Sequence, residues 1–165
     1  MKILLLVRHA KSDWGNPALE DFERPLNERG KRDAPEMAKR LLNKKVSIDA
    51  IISSPAKRAA KTAKAFAEVY DLKKSRLQFN EELYMAGSAA FTAVIENADD
   101  KFEHLAVFSH NPGITGFANE LTNARIDNIP TCGVFAIKIN TDTWKDFRNA
   151  PKEFWFFDYP KATAG

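Results

Sequence analysis

Short unbroken apolar runs alternate along this chain with longer stretches whose apolar residues recur at helical spacing. "KILLLV", Lys2 to Val7, has the pattern of a strand buried on both faces. Polar sequence containing Gly and Pro follows from Lys11 to Pro25 and reads as a loop. Asn27 has the character of a helix N-cap, and Ala34, Met37, Ala38, Leu41 and Leu42 then fall on one helical face. Pro35 inside that pattern predicts a kink or a late start. "IDAIISS", Ile48 to Ser54, predicts a second strand. The helix after it is the clearest in the chain, with Ser54 as cap and Pro55 in the first helical position. "SRLQFN" reads as a short strand, Ser88 to Asn97 as a helix and "HLAVFS", His104 to Ser109, as another buried strand. Asn111 and Pro112 repeat the cap-and-proline start, ahead of Ile114, Phe117, Ala118 and Leu121 on one face. "GVFAIKI" and "KEFWFFDYP" close the chain as two strands able to pair as a hairpin. Strands alternating with helices imply an α/β domain: a three-layer α/β/α sandwich around a mostly parallel sheet.

Composition sharpens this only in places. The 165 residues suit one domain, 1–165, with a real core, and twelve Phe argue for a compact globule. A net charge of +3 gives no reason to expect nucleic-acid binding. The one cysteine, Cys132, reads as a small buried hydrophobe and suits a reducing compartment. "KILLLV" is too short for a secretory segment and no run approaches membrane-spanning length, so a soluble cytoplasmic protein is expected, with no membrane partner.

The informative chemistry lies at strand ends. The first strand runs directly into Arg8 and His9, the second leads to Ser54 and Arg58, and His110 follows the "HLAVFS" strand. If these strands are parallel, the four residues meet at one sheet edge, where ligands bind in such folds. Arg58 falls in the first turn of its helix, where a cation opposes the macrodipole unless an anion lies between them. Two histidines and two arginines together repel one another, and a phosphate dianion would resolve that cost. A neutral imidazole, kept so by neighbouring arginines, can attack phosphorus and hold the phosphoryl group covalently. Arg8, Arg58 and His110 would bind the equatorial oxygens, and a carboxylic acid is wanted for the leaving group. The scheme needs no metal and no cofactor. His104, at the opposite strand end, is given no role.

These stretches resemble the histidine phosphatase superfamily, the phosphoglycerate mutase-like enzymes, and within it the SixA-type phosphohistidine phosphatases. "LVRHAKSDW" resembles the Arg-His signature, "SSPAKRAAKTA" the element with the second arginine, and "FSHNPGI" the element with the second histidine. "DFERPLNERGKRDA", "PTCGVFAI" and "FFDYPK" extend the likeness over nearly the whole chain. Ala10 stands where many superfamily members have Gly. The resemblance implies a phosphoglycerate mutase-like fold, with His9 as phosphoryl acceptor and Arg8, Arg58 and His110 as the phosphate pocket. It also implies Glu81 in "EELYMAG" as general acid, with Glu82 as fallback. Ser12 and Asn16, in the loop after His9, are candidates to touch phosphate or to cap the loop. The expected substrate carries a phosphate, with a phosphohistidine-containing phosphorelay protein as candidate partner. The alternatives are a general small-molecule acid phosphatase, a phosphoglycerate mutase-like enzyme, and a non-catalytic phosphoprotein-binding module.

Overall fold

The computed structural model describes residues 1–162. Six strands form one sheet: β1 (Lys2–Arg8), β2 (Ala50–Ser53), β3 (Leu77–Phe79), β4 (His104–Ser109), β5 (Val134–Ile139) and β6 (Lys152–Asp158). Their spatial order is β3-β2-β4-β1-β5-β6. The first four by number run parallel, whereas β5 lies antiparallel to β1 and β6 antiparallel to β5, closing the predicted hairpin. Four helices cover the sheet: α1 (Glu28–Asn43), α2 (Lys57–Val69), α3 (Ser88–Glu96) and α4 (Gly113–Leu121).

Alternation along β1 builds the three layers. Ile3, Leu5 and Val7 join a core with Met37 and Leu41 of α1 and Phe66 of α2. Leu4 and Leu6 face the other way, into a core with Phe91 of α3, Phe117 of α4, Trp144 and Phe147. Leu4, Leu5, Leu6 and Val7 are fully buried. At roughly 2 kcal/mol for each such side chain, burial on both faces fixes the strand and whatever its end carries.

Three helices start in ways set by their local signals and by tertiary contacts. Asn27 caps α1 as expected, its side chain accepting from the Gly30 N–H at 2.8 Å, and the helix continues through Pro35 with no late start. The other two begin later than their sequence suggests. α2 opens at Lys57 with Ala56 as N-cap, because the Ser54 hydroxyl accepts from the Ala56 N–H and also meets His110. α4 opens at Gly113, with Asn111 Oδ1 accepting from the Thr115 hydroxyl at 2.6 Å instead of from backbone. No helix among the described residues is long and apolar enough to cross a membrane.

Candidate active site

The adjacent parallel strands β2, β4 and β1 end level with one another. Arg8 pairs with Ser109 across β1 and β4, and Ser53 with Phe108 across β2 and β4. The ladder runs one residue further on each strand, with His9 N–H donating to the Ser109 carbonyl and Ser54 N–H to that of Phe108. His9, Ser54 and His110 therefore leave the sheet side by side, and the two histidines line a cleft of about 830 Å³. Behind them, Cys132 holds a left-handed φ of 61° and its N–H donates to the carbonyls of both Arg8 and His9. This clamp pins the end of β1. The Cys132 side chain is fully buried and burial pushes its thiol pKa up, as expected for an inert hydrophobe.

His9 is 6 % exposed and its Nδ1 lies 2.7 Å from the Ala10 carbonyl. A carbonyl only accepts, so Nδ1 carries the proton and Nε2 keeps its lone pair. The Ala10 N–H in turn donates to Thr62 Oγ1, and that hydroxyl donates to the Arg58 carbonyl one turn earlier in α2. His110 stands beside His9, with ring centroids 5.1 Å apart, and its Nε2 lies 2.7 Å from Ser54 Oγ. If the serine hydroxyl donates there, the proton of His110 resides on Nδ1. Burial, with Arg58 and Arg8 adding to it, depresses His110 to about 4. Burial and the nearby cationic groups outweigh the Ala10 hydrogen bond and depress His9 to about 3. Both imidazoles are neutral at neutral pH.

Arg58 is 5 % exposed and bonded in three directions. Its two terminal nitrogens donate to the Asp21 carbonyl (2.7 Å) and to Asp21 Oδ2 (2.9 Å), and its Nε approaches His9 Nε2 at 3.4 Å. Arg8 donates from one terminal nitrogen to the Ile129 carbonyl at 3.0 Å. Among the described residues, the buried side-chain nitrogens and oxygens left without a hydrogen-bond partner are Arg8 Nε and His110 Nδ1. Both belong to this cleft. Buried polar groups without a partner are costly, and two on residues that line one cleft suit a site built for an acceptor with several oxygens.

Asp21 joins this group and was not anticipated from sequence. Besides Arg58, its carboxylate accepts from the Tyr84 hydroxyl at 2.6 Å and from Arg24 at 3.0 and 3.2 Å. Burial alone would raise its pKa, but these three donors overcome it and hold the carboxyl well below the usual range. It is the one carboxylate that lines the cleft among the described residues, against Arg8, Lys11, Arg24 and Arg58. Glu81 and Glu82, the residues expected to supply the acid, are both exposed in a 3₁₀ turn (Glu81–Leu83), and neither lines the cleft. Ser12 does line it, buried, and accepts from Arg24 at 2.7 Å. Asn16 does not; its side chain accepts from the Ala18 N–H and caps the exposed loop. His104 lies at the far end of β4 against Asp49, 3.1 Å away.

Comparison with known proteins gives this arrangement a setting. Residues 4–83 match the profile described as Histidine phosphatase superfamily (branch 1). An uncharacterized chloroplastic protein of Arabidopsis thaliana is 28% identical over 151 residues, 87% of this chain and 69% of the relative. The SixA structure from Agrobacterium tumefaciens superimposes with a TM-score of 0.81 at 23% identity, covering 96% of this chain and 98% of that one. A structure of the protein histidine phosphatase SixA complexed with tungstate gives a TM-score of 0.77 at 22% identity, covering 96% and 97%. At these identities the structural likeness speaks for the fold, which is phosphoglycerate mutase-like over nearly the whole chain.

Proposed function

We propose that this chain, whose residues 4–83 match the profile of the histidine phosphatase superfamily, is a phosphatase working through a covalent phosphohistidine on His9. The observation that carries this reading is a buried, neutral imidazole that keeps its lone pair on Nε2, where Arg58 Nε approaches at 3.4 Å, beside two buried nitrogens without a hydrogen-bond partner, Arg8 Nε and His110 Nδ1. In the first step the Nε2 lone pair attacks phosphorus, the N–P bond forms, and the leaving group departs with the electrons of its own bond. In the second, water attacks phosphorus, the N–P bond breaks, His9 regains its lone pair, and the water's proton leaves on phosphate. Arg8, Arg58 and His110 stabilise the three equatorial oxygens in both steps. Ser12 supports the pocket through Arg24. The four cationic side chains facing one carboxylate would repel a metal ion, and among the described residues no cluster of three or more His, Cys, Asp or Glu is gathered to hold one.

The leaving group decides between substrates. Asp21 is kept ionised by three donors, so it is a poor general acid. An alkoxide leaving group needs that acid. A phosphorylated imidazole protonated on its other nitrogen departs as a neutral ring and does not. The cleft therefore favours protein phosphohistidine, with a phosphorelay protein as partner, over alkyl phosphomonoesters. A panel of a phosphohistidine protein, an aryl phosphate and a sugar phosphate tests this. Hydrolysis should fall in that order and vanish in His9→Ala; sugar phosphate as the preferred substrate would overturn the assignment.

A further inference from the structure

Two of the large apolar side chains left exposed stand at the mouth of the same cleft. Trp14 is 70 % exposed and Met85 84 % exposed, and both line it. Neither offers phosphate a charge, and the phosphoryl chemistry uses neither. Yet each is held in place by the surrounding structure, and by different means.

The Trp14 ring lies 3.4 Å from the guanidinium carbon of Arg24. Arg24 is itself buried and fixed by its bonds to Ser12 and Asp21. One face of the indole thus rests on an immobile cation, so ordering the ring on binding costs little. Met85 has a left-handed backbone, φ 57°, a conformation that is costly for a non-glycine residue. The neighbours on both sides enforce it. Tyr84 is tied through its hydroxyl to Asp21 and packs edge-on against His110, with centroids 5.4 Å apart. The Ala86 carbonyl lies where a Cβ on Gly113 would come within 1.9 Å, so only glycine there lets this loop seat on the start of α4. Strained backbone maintained from both sides is a feature of ligand-binding sites, and here it presents an exposed thioether on the cleft that His9 also lines.

We infer that Trp14 and Met85 form an apolar subsite for the leaving group, which selects phosphoryl donors whose leaving group is a planar unsaturated ring. The inference rests on the phosphatase reading for where phosphorus sits, but binding alone tests it. The ring could be the imidazole of phosphohistidine or an aryl group, and the choice of ligands separates these.

The test is calorimetric titration of the whole chain with methylphosphonate, phenylphosphonate and phosphoryltriazolylalanine, a stable phosphohistidine mimic. The wild type should bind both ring-bearing ligands at least about tenfold more tightly than methylphosphonate, the size of one aromatic contact. The tighter of the two names the natural ring. In Trp14→Ala that preference should collapse toward unity, in Met85→Ala it should fall about threefold, and Trp14→Phe should keep most of it. Equal affinity of the wild type for all three ligands would overturn the inference, as would a preference that survives Trp14→Ala. A wild type that shows the preference but hydrolyses no phosphorylated substrate would support the subsite and remove the phosphatase reading instead.

Discussion

Acidification in phosphate-free buffer should weaken this fold through its two site histidines. The ordinary imidazole value is 6.5, and burial, reinforced by neighbouring cationic groups, depresses His9 to about 3 and His110 to about 4. As pH falls below 6.5 the unfolded chain binds a proton on each ring, while the folded chain binds none until near its depressed value. The contribution of the two histidines therefore falls with pH throughout that window, is unaffected above it, and levels off below about pH 3. Each histidine costs about 1.4 kcal/mol per pH unit inside the window. Between pH 7 and pH 5 the pair together cost about 3–4 kcal/mol, a large part of a typical ~5–15 kcal/mol. Asp21, whose value is lowered, adds its own loss only at more acid pH, below the ordinary carboxylate range. Urea unfolding at the two pH values reads the loss directly, and a His9→Gln/His110→Gln double variant should lose most of the slope. A wild type equally stable at both pH values, or a slope unchanged in the double variant, would refute the burial argument.

Other consequences are checked more simply. Asp21→Asn removes the ionic partner of both Arg58 and Arg24, two buried guanidiniums. It should lower kcat/KM for an aryl phosphate by about tenfold, with Asp21→Glu recovering part of it. Glu81→Gln should leave kcat/KM within about twofold and the pH–rate profile unshifted, since Glu81 is exposed and does not line the cleft. A large loss there would return Glu81 to the chemistry.

What could be read from the residues follows how local each signal is. The run from Leu4 to Val7 is apolar without alternation, which announces a strand covered on both faces, and a parallel sheet then carries Arg8, His9 and His110 to one edge. Arg58 was legible because a cation in a first helical turn needs an explanation in its own neighbourhood. Asp21 was not. In "DFERPL" it looks like any solvated acid, and its role depends on partners 37 and 63 residues away. The same holds for the Cys132 N–H that clamps β1, where the side chain, the only part visible in sequence, is inert. The helix starts at Ser54 and Asn111 were placed early because cap-and-proline signals are read against backbone alone. Here tertiary demands, His110 on Ser54 and Thr115 on Asn111, took the side chains first. Glu81 was expected from the resemblance of "EELYMAG" to a superfamily pattern, and of that segment Tyr84, Met85, Ala86 and Gly87 line the cleft while Glu81 does not.

The central claim is that His9 Nε2 accepts the phosphoryl group. Rapid quenching in alkali during turnover of a phosphohistidine protein or an aryl phosphate, followed by peptide mass spectrometry at alkaline pH, tests it most directly. One phosphoryl group is expected on the peptide containing His9, stable in alkali, lost in acid and absent from His9→Ala. A phosphoryl group on any other residue, or turnover at the wild-type rate by His9→Ala, would contradict it.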